Sequence, residues 1–213
     1  MEIADAVAAI DEHGFVVVPG FMSLDELAPA QAALRTIYPT ADEFHGGVAP
    51  ERAARLRGDQ FAGIEELPAI GAELGLLAVH PKVVALASAA LRSGDIRTYG
   101  IEAWAKYTGA VDYEQEHHRD YLGHTLVVPS WALEQRQLEI FVFLDDVTED
   151  LGPTHVVSRS ITDHLPVLPN WFGRESTGAG DDPEDYQRLG IRHRALRDGE
   201  VLVIDGEQER LCR

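Results

Sequence analysis

The sequence predicts an α+β fold in which N-terminal helices buttress an antiparallel β-sandwich or barrel. Up to Gly94 the clearest patterns are helical, with apolar residues three or four positions apart and helix-start signals before them. After Gly94 the chain carries short β-rich segments separated by turn residues, with few helical patterns between them. Helices first and strands later are typical of an α+β arrangement.

The N-terminal segments begin with a helix at 3–13, which Gly14 is placed to end. A β-branched strand at 15–18 follows and is closed by a Pro-Gly turn. The capping-box pattern at 23–26 then predicts a helix that runs to about residue 37.

The remainder of the N-terminal half is less regular. Glycines, charges and a proline in 41–60 indicate a loop with a short helix. Pro81 suits the first turn of a further helix, which Gly94 ends.

Six short strands are expected in the C-terminal half, because each segment is β-rich and bounded by turn residues. They are 96–99, 103–107, 124–128, 138–144, 155–157 and 201–204. The stretch 169–186 is too polar for a core and is expected to be a long loop, which in an enzyme can serve as a lid.

Length and composition indicate one domain over residues 1–213. A single cysteine, Cys212, favours a reducing compartment, and the acidic start of the chain lacks the features of a secretory signal, so we expect a cytoplasmic protein. We find no run of about 18 apolar residues, so we predict no membrane-spanning segment. The net charge of −18 argues against nucleic-acid binding. The oligomeric state is left open.

The densest group of candidate ligands surrounds His118 and Asp120. In an extended segment these two side chains point to the same side, because side chains alternate with period two. Iron(II) accepts a mixed imidazole and carboxylate set, and a 2-His-1-carboxylate triad leaves positions open for a co-substrate and oxygen. A solvated loop is the alternative interpretation of this tripeptide alone.

The neighbouring segments resemble the phytanoyl-CoA dioxygenase family, in particular its small bacterial members. The resemblance covers nearly the whole chain. Three segments carry it in part: 14–27, His80-Pro-Lys-Val-Val, and 99–109, which leads into His117-His-Arg-Asp-Tyr. The most specific match is 138–160, which contains Leu-Asp-Asp-Val-Thr-Glu-Asp-Leu-Gly-Pro-Thr-His.

This resemblance implies a double-stranded β-helix, or jelly-roll barrel, buttressed by the N-terminal helices. It also implies iron(II) as cofactor, 2-oxoglutarate and dioxygen as co-substrates, and hydroxylation of a small molecule. His118 and Asp120 would be catalytic iron ligands, and Lys106 would face a 2-oxoglutarate carboxylate or be a surface lysine.

Tyr99 and Trp104 would line the pocket or be ordinary core residues. Of the histidines near the motif, His117 and His124 are expected in a second layer or at the surface. His155 is placed to face the barrel interior, but not as a ligand. His13, His45, His80, His164 and His193 are assigned no function.

The sequence departs from the family pattern after the strand at 201–204. The family's distal histidine is expected near Arg210, an arginine that binds 2-oxoglutarate should follow, and no histidine follows His193. We therefore expect an incomplete C-terminus without the last barrel strands, and impaired hydroxylase activity. The alternative is a pseudoenzyme that binds a small ligand or a protein partner through the old pocket. A metal-binding cupin ranks last, because it would need more histidines around the barrel.

Overall fold

A computed structural model describes residues 1–48, 50–58, 62–66, 71–98, 100–110, 136–162, 200–205 and 210–211. In this part of the chain the helices are α1 Ile3–His13, α2 Leu24–Ile37, α3 Ala41–His45, α4 Pro50–Ala54, α5 Ala72–Ala78, α6 Pro81–Leu91 and α7 Arg159–Thr162. The strands are β1 Phe15–Val18, β2 Glu65–Glu66, β3 Glu102–Ala103, β4 Leu138–Val142, β5 His155–Val156, β6 Val201–Asp205 and β7 Arg210–Leu211.

The first three elements have the predicted boundaries. Helix α1 ends at Gly14, whose φ of 82° lies in the left-handed region that glycine adopts without a Cβ clash. Helix α2 begins with a complete capping box, in which Ser23 accepts from the Glu26 backbone and the Glu26 carboxylate accepts from the Ser23 backbone.

Several elements differ from the sequence prediction. Residues 96–98 form no strand, and the strand expected at 103–107 is the two-residue β3, which pairs with β2. The described residues of 41–60 form two short helices, α3 and α4, and a second capping box, made by Thr40 and Glu43, begins α3. The strand predicted at 124–128 and the loop predicted at 169–186 lie outside the described residues.

Contacts divide the chain into two compact units. Unit 1 comprises Met1–Phe21, Ala85–Ile96 and Glu114–Arg213, and unit 2 comprises Met22–Val84 and Arg97–Tyr113. The division falls inside α6. The expectation of a single domain over 1–213 stays a prediction.

Unit 1 is organised around an antiparallel sheet with the strand order β1-β6-β4. Because side chains alternate along β6, Val201 and Val203 face α1 and α6, and Leu202 and Ile204 face the opposite side. All four are at most 1% exposed. Both faces of the sheet are therefore covered by apolar side chains.

A separate two-stranded ladder in unit 1 joins β5 to β7, with His155 opposite Leu211 and Val156 opposite Arg210. One short strand thus follows β6 and pairs with β5. The expectation that further barrel strands are missing stays a prediction.

Unit 2 is held together around Tyr38, the residue that ends α2 and is 3% exposed. Its hydroxyl lies 2.6 Å from the Gly63 carbonyl and 2.7 Å from the Ala103 carbonyl, and it shares its proton between these two acceptors. Helix α2 also packs against α5. The C-terminal end of α2, the turn before β2 and strand β3 are therefore fixed to one another.

One stretch, Ala72–Leu91, is long and apolar enough to cross a membrane by length and composition alone. It is divided between α5 and α6, and Val79 and His80 between them are not helical. Of this window, 28% is buried inside the protein, including Leu74, Leu77, Leu86 and Ala90, whereas Leu76 and Val79 are exposed.

Candidate active site

The segment that carries His118 and Asp120 lies outside the described residues. Their assignment as iron ligands therefore stays a prediction, and the same holds for His117 and His124 near them. Among the described residues, no three histidine, cysteine, aspartate or glutamate side chains come together to hold a metal ion. The imidazole and carboxylate of the His-x-Asp pair are donors that suit iron(II).

Lys106, the predicted 2-oxoglutarate contact, is described and is exposed. Its Nζ lies 5.3 Å from the ring centroid of Trp104, within cation–π distance. Trp104 is 40% exposed, so it is not an ordinary core residue, and its Nε1 donates to the Glu102 carboxylate at 2.9 Å. The structure therefore places the Lys106 ammonium beside an exposed indole ring, three residues after β3. Tyr99 lies outside the described residues.

Tyr107 anchors the chain shortly before the predicted iron-binding segment. Its hydroxyl donates to the Pro39 carbonyl at 2.5 Å, and its ring stacks on Phe44 with centroids 4.2 Å apart and planes inclined by 11°. Burial raises the pKa of Tyr107, while the nearby arginines Arg52, Arg35 and Arg55 act in the opposite direction. Sequence reasoning missed this residue, because an aromatic side chain in a predicted strand carries no sign of its distant partners.

Tyr38 is a second tyrosine that the sequence did not single out. Burial raises the pKa of Tyr38 to about 12, and the neighbouring Glu65 carboxylate acts in the same direction. A phenol with such a pKa stays protonated at neutral pH and keeps its role as a hydrogen-bond donor. Tyr38 and Tyr107 both act in unit 2, where they fix the two ends of the segment from β3 to residue 107.

His155 is the most buried histidine that the structure describes, with 3% of its surface exposed. Its neighbour Val156 packs with Leu202 and Ile204 in an apolar cluster on one side of the main sheet. Because side chains alternate along β5, His155 points to the other side of that strand. The expectation that His155 faces the barrel interior, without being a metal ligand, stays a prediction.

The other described histidines lie at the ends of helices. His80 Nε2 is 3.6 Å from a Glu26 carboxylate oxygen, and His13 Nε2 is 3.9 Å from Glu12. His45 ends α3 and contacts Phe44 edge-on. The sequence assigned these histidines no function, and His164 and His193 lie outside the described residues.

Solved structures of iron enzymes share this fold. The epimerase SnoN, in complex with Fe3+, alpha ketoglutarate and nogalamycin RO, matches with a TM-score of 0.64 and 21% identity over 98% of this chain and 76% of its own. The carbocyclase SnoK from nogalamycin biosynthesis matches with a TM-score of 0.66 and 18% identity, over 98% of this chain and 77% of its own. EctD from S. alaskensis with bound Fe matches with a TM-score of 0.61 and 19% identity, over 98% of this chain and 69% of its own. At these identities the comparison defines the fold: helices with antiparallel sheets, as in alpha-ketoglutarate-dependent enzymes.

The sequence profile described as phytanoyl-CoA dioxygenase matches residues 10–207 of the chain. The match begins in α1, includes both predicted ligands and extends past β6. The chain belongs to the phytanoyl-CoA dioxygenase family, as its motifs predicted. None of the curated proteins matches it.

Proposed function

We propose that this chain is an iron(II)- and 2-oxoglutarate-dependent dioxygenase that hydroxylates a small organic molecule. The family match over 10–207 carries the proposal, because it contains the His118-x-Asp120 motif and the segments that position it. The neighbours SnoN and EctD, which were crystallised with iron and with alpha ketoglutarate or 2-oxoglutarate, support the same cofactor and co-substrate. Dioxygen is the second co-substrate.

Iron(II) with 2-oxoglutarate would supply dioxygen activation, coupled to decarboxylation of the co-substrate to succinate. The protein's task is to bind, orient and exclude water. The His118 imidazole and the Asp120 carboxylate would hold the metal from one side of an extended segment, leaving positions open for the co-substrate. Lys106 would pair its ammonium with a 2-oxoglutarate carboxylate.

Position 210 determines how well this chain holds iron. The family's distal histidine is expected near this position, and the chain carries Arg210 there, in strand β7 beside β5. A guanidinium is not a metal ligand at neutral pH. We therefore propose that this chain binds iron with two protein ligands and that its hydroxylase activity is impaired.

The first experiment is an anaerobic titration of the 213-residue protein with iron(II) and 2-oxoglutarate, following the visible charge-transfer band. We expect a weak band that is lost in His118→Ala and Asp120→Ala. Lys106→Met should weaken 2-oxoglutarate binding, with Arg97→Gln as a matched control for the removal of one positive charge from unit 2. A wild-type band that survives in both ligand variants would contradict the assignment of His118 and Asp120.

A substitution at position 210 tests the impairment. If Arg210 replaces the distal ligand, Arg210→His should tighten iron binding and raise succinate formation by tenfold or more. Gln208→His, which adds an imidazole two positions away, is the control. Robust succinate formation by the unaltered protein, or an equal gain from both variants, would overturn the proposed impairment.

The second candidate function is that of a pseudoenzyme, which binds a small ligand or a protein partner through the former active-site pocket. The arginine at position 210 is the observation that favours it. This candidate predicts no charge-transfer band and no succinate, together with retained binding of an organic ligand by the folded protein.

Among small molecules, the substrate is open. The charge of −18 disfavours a strongly anionic one unless local cations offset it. The same charge supports our expectation that the protein binds no nucleic acid. A cytoplasmic location remains part of the proposal, because the iron(II) state and a single cysteine both suit a reducing compartment.

A further inference from the structure

His80 occupies the N-cap position of helix α6. Its backbone carbonyl accepts a hydrogen bond from Val84 N at 3.0 Å, which is the first intrahelical bond of α6. Pro81, the first helical residue, has no backbone N–H to satisfy. The next backbone N–H belongs to Lys82, and it donates to His80 Nδ1 at 3.3 Å. The imidazole therefore caps α6 in the way that a serine or aspartate oxygen caps other helices.

The hydrogen bond at Nδ1 determines which ring nitrogen of His80 carries the proton. A nitrogen that accepts an N–H must have its lone pair free, so Nδ1 is unprotonated in this arrangement and the proton of the neutral ring is on Nε2. The usual N-cap residues serine, threonine and asparagine have acceptor oxygens that do not titrate near neutral pH, whereas histidine does titrate there. This cap therefore requires the neutral form of its side chain.

Two charged side chains face the imidazole of His80. Its Nε2 lies 3.6 Å from Oε1 of Glu26, in the first turn of α2, and the Nζ of Lys82 lies 2.7 Å from the other oxygen of the same carboxylate. The helices α2 and α5 also carry Asp25 and Glu73 in their first turns, and neither makes a hydrogen bond or ion pair with His80. The His80 side chain is 25% exposed, so protons reach it from solvent.

Protonation of His80 removes the cap. A proton on Nδ1 points at the Lys82 N–H, so the hydrogen bond is lost and two donors oppose each other. The positive end of the helix dipole also disfavours a cation at this place. Glu26 acts in the opposite sense. The hydrogen bond from Lys82 lowers the pKa of Glu26 to about 2, so its carboxylate is ionised wherever a histidine titrates and attracts the imidazolium.

We propose that His80 is a proton-dependent N-cap: the neutral imidazole closes the first turn of α6, and the imidazolium releases the Lys82 N–H and pairs with Glu26. The first turn of α6 is then ordered at neutral pH and loosened in mild acid. The later turns are retained, because Leu86 and Ala90 are buried. This exchange of partners takes place within unit 2 and does not depend on the proposed oxygenase function.

The test is an NMR titration of the 213-residue protein from pH 8 to pH 5, following the ring nitrogens of His80 and the backbone amide of Lys82. At pH 8 the ring nitrogen shifts should be those of the tautomer protonated on Nε2. On acidification the protection of the Lys82 amide from hydrogen exchange, corrected for the intrinsic exchange rate, should fall about fivefold, as expected for the loss of one N-cap.

Three variants separate the cap from other effects of acid. Asparagine is a strong N-cap that does not titrate, so in His80→Asn the Lys82 amide should keep the same protection from pH 8 to pH 5. Glu26→Gln keeps the capping box of α2, in which glutamine can replace glutamate, but it removes the carboxylate charge, so opening of the cap should require a lower pH. His45→Asn is the matched control, because it replaces a histidine of α3, and it should respond as the unaltered protein does.

Three outcomes would overturn the proposal. The first is a neutral His80 ring with its proton on Nδ1, which excludes the bond from Lys82. The second is a Lys82 amide with the same protection at pH 8 and pH 5 in the unaltered protein. The third is an equal loss of protection in the unaltered protein and in His80→Asn, which would mean that another group responds to acid. Circular dichroism of each variant at pH 8 checks that the helices are retained.

Discussion

Arg136 and Asp11 meet across 125 positions of sequence: both terminal nitrogens of the guanidinium lie 3.4 Å from Asp11 Oδ1. The Arg136 side chain is only 12% exposed, and Nη1 also donates to the Ala90 carbonyl at 3.2 Å. Two further arginines donate hydrogen bonds to Asp11: Arg92 to Oδ2 at 2.6 Å, and Arg159 to the backbone carbonyl at 3.1 Å. One aspartate in the last turn of α1 therefore joins α6, the residues before β4 and helix α7 within unit 1.

Replacing Asp11 by alanine should destabilise the protein by about 1–3 kcal/mol, the usual cost of leaving a largely buried charged donor without its acceptor. Partial exposure of Asp11 and of Arg92 limits the effect. Urea denaturation measures it, with Glu12→Ala as the control, because the Glu12 side chain is 75% exposed. Equal changes in the two variants would show that Asp11 contributes no more than a surface carboxylate.

Replacing Tyr38 by phenylalanine should cost roughly 1–3 kcal/mol, because the Gly63 and Ala103 carbonyls then lose a buried donor. The pKa of Tyr38 is raised from 10.0 to about 12, so its stabilising contribution is complete below pH 10 and is lost as pH rises through about 12. In Tyr38→Phe the decline of unfolding free energy over pH 10–12 should be shallower. An identical slope in both proteins would refute this role.

Glu26 should remain ionised until the pH falls to about 2. Its pKa is lowered from 4.5 to about 2, first by the hydrogen bond from Lys82, at 2.7 Å, and then by the bonds from Ser23. A lowered pKa means stability that is present above pH 4.5 and lost as pH falls towards 2. In Lys82→Ala the carboxyl resonance of Glu26 should titrate at higher pH, whereas Lys106→Ala should leave it unchanged. A titration midpoint near 4.5 in the unaltered protein would contradict the structure.

Replacing Leu202 by alanine should cost about 2–5 kcal/mol, because this side chain is 1% exposed in the central strand of the sheet and leaves a cavity. Leu76→Ala removes the same atoms from a residue that is 66% exposed, and it should change stability by less than about 0.5 kcal/mol. Thermal and urea unfolding of the two variants measure the difference. Similar losses would mean that Leu202 is not in the core as described.

Residues that begin or end a helix through local contacts could be recognised in the sequence, so the boundaries of the first helices were predictable. The Ser23–Glu26 capping box and Gly14 gave correct boundaries for α1 and α2. The second capping box, at Thr40, was passed over because α3 has five residues and no apolar periodicity. Residues 96–98 have the composition of a strand but form no ladder, since strand formation requires a partner that a local window cannot reveal.

Long-range contacts were not predictable for the same reason. Nothing near Arg136 in the sequence indicates that its partner is Asp11, and nothing near Tyr107 indicates Pro39. For the candidate site, the family motif predicts His118 and Asp120 as iron ligands, and both lie outside the described residues. Lys106 was chosen for its place before that motif, yet an exposed indole ring was not foreseen as its neighbour.

The strand order β1-β6-β4 has a consequence for the nascent chain. β1 is complete at Val18, but its ladder partner β6 begins at Val201. At a synthesis rate of about 5–20 residues per second, this apolar strand emerges roughly 10–40 seconds before its native neighbour exists. Helix α1 can shield one side of it meanwhile, while its edge stays open to other partners. We therefore expect biogenesis of this protein to depend on chaperones that hold the N-terminal segment until the sheet closes.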